Sequence, residues 1–374
     1  LNVASMDMLK RTYSEIGIRK AWTPSMEDAR ISLLLYASQQ DAPTYLETLN
    51  DFILTFPNAS EGYVSRASHY AYHRKELAST ENEQLQMLDL AWADLDKVEK
   101  EMKNKEEAYY NKAKLIFGVA TNDSTLRYKE WNIESAMGYI KKAIAENDLP
   151  AYRHLEGDIA FFNQDYENAY NSYSIVNQSP SSSASSWYLA AKSKEQIPGS
   201  NLMEIITMMD SAVAKSPVNE ASAYLLESVD LKMQVGLYEQ AVKDYDTYYR
   251  LTGGNVNDGF YYFLEQAKFR SNDFEGALKD IDMAILGNPG NAIYHAEKAS
   301  VYLRLKEPGK AQASAEKAVE LQPDFASAYR ILGISLIRQE KKTEACPSLE
   351  KAKEFGDLAV DKLLKENGDA LPAN

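Results

Sequence analysis

The sequence predicts an all-α chain of stacked antiparallel helix pairs, on three observations. Small residues recur at a fixed interval: Ala241, Ala277, Ala311 and Ala345 stand 36, 34 and 34 residues apart. Four and seven places on come Tyr245 and Tyr248, Ile281 and Ala284, Ala315 and Ala318, and Leu349 and Ala352. At 3.6 residues per turn these positions share one helical face. Proline then ends the helix at Pro289 and Pro323, because a residue without an amide hydrogen cannot extend the ladder.

In chain order, residues 5–20 place Met6, Leu9, Tyr13 and Ile16 on one face, which predicts a capping helix over 1–25. A first pair is expected over 26–57, from Ala29, Leu33, Tyr36, Leu49, Phe52 and Pro57. The next, over 60–100, rests on Tyr63, Ala67, Tyr70, Ala91 and Leu95 and needs a long connection through 74–84. The pair over 106–147 rests on Tyr110, Ala113, Ala136, Ile140 and Ala143, with a second long connection through 119–130. Gly157, Ala160, Tyr166, Ala169, Tyr173 and Pro180 mark 150–180. Trp187, Ala191, Met209, Ala212 and Pro217 mark 184–217, with a longer turn at 197–200.

Four further pairs follow over 220–252, 258–289, 292–323 and 326–357. Their two helices are joined by short polar turns such as 236–239 and 272–275. In the 258–289 pair Glu265 stands where the interval calls for a small residue. Val360, Leu363 and Leu364 then predict a closing helix and tail over 358–374. The recurring Ala and Gly have a steric reason: two helices approach closely only where one side is small, so they sit opposite large residues such as Tyr. One pair cannot bury its apolar faces alone, so the pairs must stack.

These residues resemble the tetratricopeptide repeat, whose 34-residue pattern runs from an aromatic through Leu-Gly, Tyr, Ala and an aromatic to a closing Pro. Residues 326–357 carry it as Tyr329, Leu332, Gly333, Leu336, Ala345, Leu349 and Ala352, with Asp357 in the place of Pro. Residues 292–323 carry Ala299, Tyr302, Ala311, Ala315, Ala318 and Pro323, with His295 in the aromatic slot. The resemblance implies a right-handed α-solenoid, a superhelix of antiparallel pairs.

Composition excludes several functions. With 41 basic and 55 acidic residues the net charge is −14, which repels the phosphate backbone of nucleic acid. No stretch has the length of apolar sequence that a membrane-spanning helix needs. Cys346 is the only cysteine, so neither an intramolecular disulfide nor a CxxC metal site exists. The chain opens on Leu1 and not Met, so an upstream segment is expected to have been removed. Export to the periplasm, or tethering to a membrane, is expected ahead of a cytoplasmic location.

No constellation of residues points to catalysis or to a cofactor. His69 and His73 stand at metal-ligand spacing on a helix, but Tyr70 occupies the place of the metalloprotease Glu and no third ligand is indicated. They are expected on a partly exposed helix face. Cys346 is expected as a small core residue. Gly253, Gly254 and Gly259 follow a helix and lack phosphate-loop spacing, so they are read as a connector between repeats.

Binding of a protein or peptide partner is therefore expected. In arrays of the family the first helix of each pair lines the groove, which selects Arg30, His154, Phe161, Phe162, Tyr262, Phe263, Phe269, Arg270, Arg330 and Arg338. Aromatic and Arg side chains are the types that anchor interfaces. Some family members clamp a terminal carboxylate with Lys and Asn. The equivalent positions here, Leu226, Glu227, Asp230, Ala296, Glu297 and Ser300, are apolar or acidic, which disfavours that clamp and suits hydrophobic anchors with basic neighbours. The alternative is a glycan-binding or cell-envelope accessory lipoprotein built on such helices.

Overall fold

A computed structural model describes residues 41–122, 128 and 131–367. The helix expected over 1–25, Arg30 with the first helix of the 26–57 pair, and the tail from residue 368 lie outside them. Every regular element among the described residues is helical. The chain divides into two compact units, Leu1–Gly199 and Ser200–Asn374.

The first unit contains α1 (Ala42–Thr55), α2 (Ser60–Tyr72), the single turn α3 (Arg74–Leu77), α4 (Glu81–Glu101), α5 (Lys105–Asn122), α6 (Ile133–Glu146), α7 (Pro150–Phe162), α8 (Tyr166–Asn177) and α9 (Ala184–Gln196). The connection expected over 74–84 holds α3, and α4 then begins in a capping box. The Thr80 side chain accepts from the Glu83 amide, and the Glu83 carboxylate accepts from the Thr80 amide. Asn132 and Ser183 start α6 and α9 in the same way, each with a Ser at the third helical position.

The second unit contains α10 (Leu202–Lys215), α11 (Val218–Val235), α12 (Tyr238–Leu251), α13 (Asp258–Arg270), α14 (Phe274–Gly287), α15 (Ala292–Arg304), α16 (Pro308–Leu321), α17 (Ala326–Ile337), α18 (Lys342–Glu354), a 3-10 turn (Leu358–Val360) and α19 (Asp361–Asn367). Each helix packs on the next in chain order, so Ala277 on α14 and Ala311 on α16 belong to neighbouring layers on either side of α15. The two helices expected as one pair over 184–217 fall in different units, α9 packing on α8 and α10 on α11. Val360 is fully buried against Tyr329, Leu349 and Ala352, which closes the last pair.

Ala241, Ala277, Ala311 and Ala345, the residues that set the interval, are all fully buried. The large-against-small rule is clearest at two glycines. A Cβ on Gly157 would lie 2.7 Å from the ring of Tyr173, and one on Gly333 would lie 2.5 Å from Cδ2 of Leu349. Tyr173 and Leu349 are themselves fully buried and cannot swing away. Gly333→Ala is expected to destabilise the second unit by about 1–2 kcal/mol, since overpacking outweighs the better helix propensity of Ala. Urea melts check this, and the loss must shrink in a Leu349→Ala background if the clash is its cause.

One backbone device ends the first helix of five pairs. Gln164, Gly236, Asn272, Lys306 and Glu340 all take positive φ, between 61° and 84°. This left-handed residue returns the chain so that the next amide donates five residues back. Asp165 N–H bonds to Ala160 O at 2.9 Å, Leu237 to Lys232 at 2.8 Å, Asp273 to Lys268 and Glu307 to Tyr302 at 2.9 Å, and Lys341 to Leu336 at 3.0 Å. Three of the five positions are neither Gly nor Asn, so at these the turn is imposed by the packing of the helices it joins.

Two lysines are buried between layers. Lys232 on α11 donates to Asp210 on α10 and to Asp244 on α12, each at 2.6 Å. Lys112 on α5 pairs with Asp96 and Glu99 on α4 and lies 4.6 Å over the Trp92 ring. Burial alone would lower the pKa of both ammonium groups, but their carboxylate partners hold it above the ordinary lysine value.

Candidate functional site

In the first unit the first-helix face is formed by α5 and α7, which touch. Phe162, half-exposed at 53%, meets Phe117 edge to face at 5.8 Å, and Tyr110 stacks on Tyr152 at 4.8 Å. A cleft of about 530 Å³ opens beside them, lined by Tyr110, Lys114, Leu149, Pro150, His154 and Asp158 among others. His154 Nδ1 lies 3.2 Å from Asp158 Oδ2, and this bond holds the imidazole pKa above its ordinary value. The other oxygen of Asp158 accepts from the Tyr173 hydroxyl at 2.7 Å. Phe161 packs on Tyr166 across the turn to α8.

In the second unit a cleft of about 610 Å³ lies between α11 and α13, with α12 behind it. Phe263, 55% exposed, stands at its rim. The Tyr262 ring lies 5.3 Å from Phe263 and from Tyr294, linking α13 to α15. Further along the same face, Glu265 is fully buried. Its Oε2 accepts from Gln266 at 3.0 Å, and its Oε1 has no hydrogen-bond partner. Burial and the neighbouring Glu297 push its carboxyl up to about 8. Glu297 is raised too, by burial, against the pull of Arg270 and Arg330.

Phe269, Arg270, Arg330 and Arg338 have intramolecular partners. Phe269 packs on Phe274 at the turn, with the Arg304 guanidinium 5.6 Å from its ring. Arg270 lies 5.8 Å over Tyr238. Arg330 Nε pairs with Asp357 at 2.7 Å, and Arg338 donates to the carbonyl of Leu303 at 2.7 Å, satisfying an end of α15. Of the ten residues selected from the sequence, Phe162 and His154 both lie on α7 in the first unit without a mutual contact, and Tyr262 and Phe263 meet on α13 in the second. Leu226 and Asp230 line the second cleft beside Phe263. Tyr248 and the 255–257 stretch also line it, and the signal for them was the 36-residue interval before Ala277.

His69 differs from expectation, whereas His73 is exposed as expected. Their rings are 4.8 Å apart, but His69 is buried, and its Nε2 donates to the Ala42 carbonyl at 2.7 Å. Burial lowers its pKa below the ordinary histidine value. Among the described residues no three His, Cys, Asp or Glu side chains gather as a metal site requires, and no helix is long and apolar enough to cross a membrane. Cys346 is fully buried.

No family model matches the chain. A protein of Oryza sativa subsp. japonica named Protein SGT1 homolog is 35% identical over 103 residues, 27% of this chain and 28% of that protein. Small glutamine-rich tetratricopeptide repeat-containing protein 2 of Saccharomyces cerevisiae is 32% identical over 97 residues, 26% of this chain and 28% of that one. In fold, the stacked helix pairs are tetratricopeptide-like. The chain spans under a third of the length of these curated relatives. Among solved structures, the C-terminal part of a tetratricopeptide repeat-containing protein from Cytophaga hutchinsonii is 18% identical, covers 57% of this chain and 84% of that one, and superposes with a TM-score of 0.44. The first helices of each unit present a face that is aromatic in both units and acidic in the second.

Proposed function

We propose that the chain is a non-catalytic scaffold that binds a protein or peptide partner on the first-helix faces of its repeats. The observation that carries this reading is the placement of half-exposed aromatics, Phe162 in one unit and Phe263 in the other, each beside a cleft or ring contact between successive first helices. Large rigid apolar side chains in solvent are costly for a free chain and are the residues that anchor interfaces. The spacing of first helices also suits an extended or helical segment, which can place side chains at regular intervals against the repeats.

Selection of displayed peptides on the immobilised chain tests the reading. Recovered segments are expected to share apolar anchors and to bind at least tenfold more weakly to a Phe162→Ser/Phe263→Ser variant with unchanged helicity. Absence of any selected peptide, together with calorimetric binding of a polysaccharide, would overturn it in favour of the glycan-binding alternative.

A further inference from the structure

The second-unit cleft has features that specify what it takes, given the peptide-binding reading above, on which this inference rests. The connection between α12 and α13 runs over 252–257, six residues, where 288–291 and 322–325 have four each. These two additional residues account for the interval of 36 between Ala241 and Ala277, against 34 in the pairs that follow. Gly253 and Gly254 take left-handed φ of 63° and 76° in succession, a path that side chains with a Cβ enter only at a cost. The lengthened loop forms one wall of the cleft through Asn255, Val256 and Asn257.

The floor is aromatic. Tyr245 and Phe260 are buried there, and Tyr248 stacks on Phe260 at 5.7 Å. Phe263 and Leu226 rise on opposite sides, from α13 and α11. Asp230 on α11 is the single charged side chain in the lining, and no cationic side chain pairs with it among the described residues. Desolvation by the apolar surroundings, with the like charge of Glu227, holds its carboxyl above the ordinary carboxylate range. An incoming cation would relieve both effects, and aromatic faces attract cations as well. A chain of net charge −14 also favours a basic partner at the encounter stage.

We infer that the cleft between α11 and α13 receives a two-residue element of a partner peptide: an aromatic or branched aliphatic anchor against Phe263, Tyr248 and Phe260, and an adjacent Lys or Arg whose cation pairs with Asp230. The pairing makes recognition depend on charge and on shape together. A neutral anchor alone leaves the carboxylate unpaired, and an acidic neighbour meets it with like charge. A free terminal carboxylate has no counter-charge in this cleft, so the element is read from within a segment and not from its end.

Fluorescence anisotropy with labelled octapeptides, acetylated and amidated at their ends, tests the inference on the full chain. One probe carries a central Phe-Arg pair in Gly-Ser flanks, and the controls carry Phe-Gln, Phe-Glu or Ala-Arg. Phe-Arg is expected to bind at least tenfold more tightly than any control. Asp230→Asn should erase the preference over Phe-Gln while leaving the Phe-Gln affinity within twofold. Asp230→Lys should reverse the order of Phe-Arg and Phe-Glu, and Phe263→Ala should weaken every Phe-containing probe. Equal binding of Phe-Arg and Phe-Glu by the native chain, or a preference that survives Asp230→Asn, would overturn the inference. Peptides selected from the display library whose binding ignores these substitutions would leave the scaffold reading standing and place their site elsewhere.

Discussion

Glu265→Gln is expected to stabilise the chain by about 3 kcal/mol at pH 7 and to leave it almost unchanged near pH 4.5. Glu265 is fully buried, one of its oxygens lacks a partner, and its carboxyl is pushed up to about 8 from an ordinary 4.5. A carboxyl whose pKa is raised by folding stays protonated in the folded chain while the unfolded chain ionises. Its contribution is therefore intact below pH 4.5 and is lost as pH rises toward 8, at about 1.4 kcal/mol per pH unit. Gln keeps the shape and can still accept from Gln266, but never ionises. Urea melts between pH 4.5 and 8.5 check this, and parallel stability profiles for the two proteins would refute it. A smaller slope of the same sign should persist in the variant, because Glu297 and Asp280 are also raised by burial.

Tyr173→Ala should cost about 3–5 kcal/mol in the first unit, the range for deleting a fully buried aromatic. Its ring lies against the backbone of α7 at Gly157, where no side chain stands to fill the space left behind. Its hydroxyl also donates to Asp158, which in turn holds His154. Tyr173→Phe separates the two roles. It keeps the packing and removes one hydrogen bond to a charged group, for an expected loss of about 1.5–3 kcal/mol. It should also change the imidazole titration of His154, read by NMR, since Asp158 is then free to turn wholly toward the ring. Similar losses for both substitutions would mean that the hydrogen bond and not the packing dominates this contact.

The repeat was legible because its signal lies within single helices. The partners at four and seven are set by the helical period, and the interval near 34 by the summed lengths of two helices and their turns. The closing prolines mark ends for a reason equally local, and the helices stop two residues before Pro57, Pro217, Pro289 and Pro323. The turns were not legible in the same way. Gln164, Lys306 and Glu340 take a conformation that Gly or Asn signals, and nothing in their side chains announces it. The candidate site was legible in its residue types and not in its membership. Phe263 and Arg338 belong to the same sequence pattern, yet one stands exposed at a cleft and the other caps Leu303.

What the sequence by itself determined is the interval of the small residues, the inward face they mark on their helices around Ala241, Ala277, Ala311 and Ala345, and that the chain carries a surplus of negative charge. Periodicity and composition suffice for these, because they depend on neighbours along the chain. Tertiary structure alone decided the fate of the charges. Lys112 and Lys232 are buried because carboxylates on adjoining helices meet them, Glu265 is buried where its neighbour is another acid, and Asp230 faces an aromatic cleft with no cation of its own. The energy of a charge is set by what surrounds it in space, and those surroundings come from residues tens of positions away.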